Sequence, residues 1–250
     1  MVTIPKAGTN YLNLIISNLL DIQVLHPIGP LYSKAQYDRL KENSDVVVVW
    51  HSEPLVLDLI PKRVPVLFLV RDPRDVALSA VDFIDKGHYW EGIDCCSWNR
   101  LTRKERIEVV IDKVFNERGF SVSNFFETAI QLIIANDCCI LNYEELSPEC
   151  NSDECLAEVV KRIGRFFNQE VSCAQAKEVI AKSFKNSSCW SLNKAKVFRF
   201  LEEEKEVIET LEVKLGKYID CFNYVRSMPN VIQESVLGYT APAYNGFVVE

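Results

Sequence analysis

Three short runs of the chain leave few choices of architecture. Val46-Val47-Val48-Val49, Val64 to Val70 (VPVLFLV) and Cys138 to Asn142 (CCILN) are apolar at successive positions rather than alternate ones. A strand that is apolar on both faces suits the middle of a parallel sheet covered by helices on each side. Amphipathic stretches of helical period lie around these runs: Tyr11 to Leu20, Asp75 to Phe83, Asn124 to Ala135, Glu154 to Phe167 and Leu201 to Tyr218. Alternation of this kind predicts a doubly wound α/β fold, three layers deep (α/β/α) around a central parallel sheet. With 250 residues, 48% of them hydrophobic, the chain can bury one sizeable core of this type. No repeat, low-complexity tract or Pro/Gly/Ser linker divides it. Residues 1–228 read as the domain and residues 229–250 as a C-terminal tail without an assigned role.

In open α/β sheets, ligands bind at the carboxyl ends of the strands. Three polar signals fall at such ends. The first is Pro5-Lys6-Ala7-Gly8-Thr9-Asn10, wedged between an apolar start and the first amphipathic run. A glycine admits close approach of the backbone N–H groups, and the helix that follows turns its positive dipole end toward the loop. Lys6 adds a point charge, and Thr9 and Asn10 add donors, so the loop suits a phosphate or sulfate. The competing reading is an ordinary turn with a surface lysine. A Walker A loop it is not, because Gly-x-x-x-x-Gly-Lys-Ser/Thr is absent. The second signal is His51, after the valine run. The third is Arg71-Asp72-Pro73-Arg74-Asp75, after VPVLFLV, with Ser79 about two helical turns further on. Arg71 either forks onto an anion, aided by the Ser79 hydroxyl, or serves as a structural arginine bonding loop carbonyls. His51 is either a base for proton transfer or a strand-end histidine without a task.

Composition removes other classes. A formal charge of −7 disfavours a general nucleic-acid binder. No run of about 18 apolar residues suggests a membrane span, and no charged-then-apolar leader opens the sequence. Nine cysteines without Cys-x-x-Cys, and three scattered histidines (His26, His51, His88), argue against a zinc site. Reduced, mostly buried thiols in a cytoplasmic protein are expected instead.

Taken in order, these segments resemble the sulfotransferases that use 3′-phosphoadenosine 5′-phosphosulfate (PAPS). That family's first motif, Pro-Lys-Ser-Gly-Thr-Thr-Trp, is similar to PKAGTNY here. Its second, Arg-Asn/Asp-Pro-Lys/Arg-Asp-x-x-x-Ser, is matched throughout by RDPRDVALS from Arg71 to Ser79. A Tyr-Glu-Asp-Leu segment after a late strand resembles Tyr143-Glu144-Glu145-Leu146, and Ser183-Phe184 sits in a segment like the family's Ser-Phe-x-x-Met. The likeness runs over roughly residues 2–225.

The resemblance implies a P-loop-like sulfotransferase fold and assigns roles by position. Lys6, Ala7, Gly8, Thr9 and Asn10 would hold the 5′-phosphosulfate, and Arg71 and Ser79 the 3′-phosphate. Tyr11, Tyr143 and Phe184 would border the adenine. His51 would be the catalytic base, with Lys6 balancing charge on the leaving group and Glu53 as a substitute base if the strand continues beyond His51. No metal is implied. The acceptor would be a small molecule or a carbohydrate carrying a hydroxyl or amine, in a pocket drawn partly from residues 84–123. Tyr89, Trp90 and Trp98 suit such a pocket, while Arg100, Arg103, Lys104 and Arg106 read better as a solvated helix face. One family segment, Gly-x-x-Gly-x-Trp-Lys, is replaced by residues 192–199, where Lys194, Lys196 and Arg199 are the available charges. That replacement keeps a non-catalytic nucleotide-binding protein on the same scaffold in play. A P-loop kinase is a weaker alternative, because no carboxylate placed for magnesium follows a strand.

Overall fold

The computed structural model describes residues 1–25, 46–54, 56–60, 62–88, 92–113, 120–148, 150–185 and 197–227. Its centre is a parallel sheet of four strands: β1 (Val2–Thr3), β4 (Trp50–His51), β5 (Pro65–Val70) and β6 (Asp137–Asn142), in the order β4-β1-β5-β6. β5 and β6 pair over their full length, from Pro65 opposite Asp137 to Val70 opposite Asn142. β1 is short but doubly held, with Thr3 opposite His51 on one side and Leu69 on the other. The valine run contributes to two sheets. Val46–Val48 (β3) pairs in parallel with Gln23–Leu25 (β2), a strand outside the sequence-based expectations, and only Trp50–His51 lies beside β1.

The helices form two packed groups, as a three-layer α/β/α fold requires. One contains α1 (Thr9–Leu20), α8 (Asp153–Phe166) and α9 (Cys173–Lys185). The other contains α3 (Pro73–Asp85), α5 (Arg103–Asp112), α6 (Val122–Ala135) and α10 (Lys205–Ser227). Short helices α2 (Val56–Leu59), α4 (Cys95–Trp98) and α7 (Tyr143–Leu146), and a 3₁₀ turn at Arg199–Glu202, complete the described residues. Side chains fix the helix starts. Asp72 caps α3, with Pro73 in its first turn, Ser121 caps α6, and Ser152 caps α8, each accepting from backbone N–H groups that the helix itself leaves unpaired. Tyr143 to Leu146 forms a helical turn at the carboxyl end of β6. The C-terminal amphipathic stretch is divided, with the 3₁₀ turn preceding α10.

The core lies on both faces of β5, where Val66 to Val70 are all buried. That is the physical content of an apolar run with no polar face. Eight cysteines lie among the described residues, all free thiols; against the expectation of mostly buried thiols, Cys96, Cys150, Cys155 and Cys173 are exposed and only Cys139 is buried. Burial pushes Cys138 and Cys139 up to about 12, which keeps them protonated and inert. No described helix is long and apolar enough to cross a membrane. The tail at 229–250 lies outside the described residues.

Phe68, fully buried in β5, tests this arrangement. Phe68→Ala should lower the unfolding free energy by about 3–5 kcal/mol, the usual cost of deleting a buried aromatic ring. Urea titration reads this directly, and a loss below about 1 kcal/mol would be incompatible with β5 at the centre of the core.

Candidate functional site

The strand order reverses direction at β1: the next strand of the main sheet lies on one side and the following one on the other. Ligand crevices open at such switch points. The loop from Pro5 to Gly8 leaves β1 there and feeds α1. Gly8 has φ 90°, and a Cβ on it would lie 2.3 Å from the Tyr143 ring, so glycine is required both by conformation and by packing. Lys6 is also in the left-handed region, at φ 68°. α1 begins with no side-chain cap and no acidic residue in its first turn. A helix start of this kind, flanked by Lys6, Thr9 and Asn10, suits an anion. These residues therefore fit the phosphosulfate end of PAPS. The Lys6 ammonium sits 3.8 Å from the centre of the Phe83 ring on α3.

Arg71, at the end of β5, is buried and turned toward the loop. One terminal nitrogen donates to the Lys6 carbonyl at 3.0 Å, and the other pairs with Asp75 at 3.3 Å. The guanidinium also lies 4.4 Å from the centre of the Tyr143 ring. Burial holds the Asp75 carboxyl above the usual range, outweighing the attraction of Arg71. Its other oxygen accepts from the Phe200 N–H at 3.4 Å. Ser79 is buried on the same helix. Tyr143 is 5% exposed and packs between Gly8 and Arg71. Tyr11 is likewise buried, and burial raises its hydroxyl pKa.

His51, half-buried, ends β4. Its Nδ1 lies 3.1 Å from the Thr3 hydroxyl, which in turn lies 2.8 Å from the Thr9 hydroxyl. His51 and Thr9, where the loop enters α1, are thus joined through Thr3 by two hydrogen bonds. Thr3 is the residue that sequence reasoning missed; its only signal is a polar side chain inside an otherwise apolar strand start. The strand stops at His51, and Glu53 lies in the turn that follows, where its N–H donates to the His51 carbonyl at 2.8 Å.

Several other sequence candidates resolve differently. Trp98 is 2% exposed and donates its indole N–H to Asp85 at 2.8 Å, so it is core rather than pocket lining. Arg103 pairs with Glu203 and Asp82, Lys104 with Glu206, and Arg106 with Asp85, as a charged helix face does. Arg199 pairs with Asp82 on α3. Ser183 is buried on α9, accepting from Asn18 at 3.0 Å and donating to the Val179 carbonyl. Phe184 lies on α9, but its side chain, together with Tyr89, Trp90, Lys194, Lys196 and His26, falls outside the described residues. Among those described, no three His, Cys, Asp or Glu side chains group as a metal site.

No protein-family model matches the chain, and no curated protein matches it by sequence. Solved structures do match it by fold. The mouse sulfotransferase SULT7A1 complexed with PAP superposes with a TM-score of 0.61 at 16% identity, covering 86% of this chain and 83% of that one. Retinol dehydratase in complex with androsterone and inactive cofactor PAP superposes with a TM-score of 0.54, also at 16% identity, over 86% of this chain and 78% of that one. The chain has the P-loop-like α/β fold of these structures.

Glu144, next to the Tyr143 platform, offers a test of the site's burial. One carboxylate oxygen accepts from the Asp72 N–H at 3.1 Å, yet burial pushes the group up to about 7. An unfolded glutamate ionises near 4.5, so the folded state holds a proton that the unfolded state has lost between these values. This carboxyl's contribution therefore lowers stability as pH rises from about 4.5 to about 7, by about 3 kcal/mol in all. Glu144→Gln should remove that part of the decline. Unfolding titrations of parent and variant at both pH values check it, and equal declines in the two proteins would refute it.

Proposed function

We propose that this protein transfers a sulfuryl group from PAPS to a hydroxyl or amine of a small-molecule or carbohydrate acceptor, by in-line displacement with His51 as general base. The observation that carries this reading is the union, at the sheet's switch point, of an anion-receiving loop and a histidine linked to it through Thr3. The fold-level likeness to two PAP-bound proteins adds to it. Bound PAPS supplies the sulfuryl group and a phosphate leaving group. In this reading the loop from Lys6 to Asn10 holds the phosphosulfate through backbone N–H groups and the Thr9 and Asn10 side chains. Lys6 neutralises charge that builds on the leaving oxygen, a task for which a fixed cation needs no rearrangement. Arg71 and Ser79 are assigned to the 3′-phosphate, and Tyr11, Tyr143 and Phe184 to the edge of the adenine site. His51 takes the acceptor's proton as the acceptor oxygen or nitrogen bonds to sulfur. The scheme calls for no metal ion, and a reducing compartment such as the cytoplasm suits the free thiols.

A second reading, a nucleotide-binding protein without turnover, draws on Arg199. Its charge is engaged with Asp82, so it is spent within the domain. Binding separates neither reading from the other, but turnover does.

Two outcomes are expected. Lys6→Ala should weaken binding of 3′,5′-adenosine bisphosphate by about ten- to hundredfold, the loss of one charge-assisted contact. Calorimetry without magnesium measures it, and unchanged affinity would remove Lys6 from the site. His51→Ala should bind the bisphosphate as the parent does while transfer from labelled PAPS falls by about 10²–10⁴. Binding by the parent with no transfer to any hydroxyl or amine acceptor would favour the second reading.

A further inference from the structure

The hydrogen bonds between Thr9, Thr3 and His51 have a direction, and that direction decides which nitrogen of the imidazole carries the proton. Thr3 and His51 are cross-strand neighbours in register, and Thr9 opens the helix after the loop. The Thr3 hydroxyl is fully buried and stands between two partners, at 2.8 Å and 3.1 Å. A hydroxyl has one proton and two acceptor lone pairs; accepting from both partners would leave that buried proton unspent on either, a costly state, so Thr3 donates to one and accepts from the other. Two arrangements follow. In the first, Thr9 donates to Thr3, Thr3 donates to Nδ1, and the neutral imidazole keeps its proton on Nε2. In the second, Nδ1–H donates to Thr3, Thr3 donates to Thr9, and the Thr9 proton points onward into the loop.

Building on the sulfuryl-transfer reading, we infer that Thr3 is a positioning residue through which an anion in the Lys6–Asn10 loop sets the tautomer of His51. An anion accepts hydrogen bonds and donates none, so a filled loop draws the Thr9 proton toward itself. Thr9 must then accept from Thr3, and Thr3 must accept from Nδ1–H. His51 is left with an unprotonated Nε2, the form a general base needs. When Nε2 takes up a proton, Nδ1–H already points at Thr3, so the imidazolium forms without any hydroxyl turning. Donor binding thus readies the base, and an empty loop permits the tautomer that cannot accept a proton at Nε2.

The test is ¹⁵N NMR of the full chain with labelled histidine, at a pH where the imidazole is neutral, with the His51 resonances assigned by their loss in His51→Asn. The added probes are inorganic sulfate and 3′,5′-adenosine bisphosphate. Saturation with bisphosphate should move His51 to the Nδ1–H tautomer. Thr3→Ser should respond as the parent does. Thr3→Val, equal in shape but without the hydroxyl, should bind the bisphosphate normally and show no such change. The inference is overturned if the parent binds the bisphosphate with its His51 tautomer unchanged, a result that leaves the sulfuryl-transfer reading intact. It is equally overturned if Thr3→Val responds like the parent, or if that variant loses bisphosphate binding, since the hydroxyl would then serve the anion directly. Failure of the parent to bind bisphosphate at all would remove the sulfuryl-transfer reading, and this inference with it. The parent titration alone decides the matter should Thr3→Val fail to fold.

Discussion

A buried guanidinium ties together parts of the chain that are distant in sequence. Arg71 closes β5, accepts the Tyr143 ring against its face, bonds the Lys6 carbonyl and pairs with Asp75, whose second oxygen receives the Phe200 N–H. Loop, strand end, helix start and 3₁₀ turn all meet at this one group. Such a charge contributes little net stability, because leaving water is costly even when a carboxylate is near. What it does contribute is geometry: a buried charge with few acceptable partners fixes where those partners stand. The loop from Pro5 to Gly8 is therefore shaped from below, by Arg71 and Tyr143, as much as by its own sequence.

Much of the sheet could be read from residues alone, and the reason lies in burial. β5 and β6 are covered on both faces, so their apolar runs have no polar alternation to confuse with a helix. The split of the valine run at Val49 was not legible. Residues 46–51 show that a strand exists, but the choice between β2 and β1 as partner is made by register with segments elsewhere. Two of the longer helices lie outside the periodic stretches, although the basic residues of one were read as a helix face and both starts are written locally. Thr102 and Glu105 form a reciprocal cap at α5, and Ser172 and Gln175 do the same at α9, each a Ser/Thr followed three residues on by an acidic or amide side chain.

The site divides along the same line. Lys6, Gly8, His51 and Arg71 were visible because each follows a strand signal, and parallel strands bring their carboxyl ends to one edge. Thr3 was not, because its place opposite His51 is a fact of pairing rather than composition. Trp98 misled for a related reason. An aromatic residue in a polar segment looks like a ligand platform, yet the indole N–H found Asp85 and the ring found the core.

The position of β1 has a consequence for how the domain comes into being. Val2 and Thr3 lie between β4 and β5, so a two-residue strand made early must find Trp50, His51, Phe68 and Leu69 as neighbours before it has any ladder at all. Pairings so far apart in sequence close slowly, since the chain's loss of freedom comes before the reward of contact. β5 and β6 share the longest pairing but are themselves separated by four described helices. The loop from Pro5 to Gly8 hangs directly from β1. The shape of that loop therefore depends on Trp50, His51, Phe68 and Leu69 being in place beside β1.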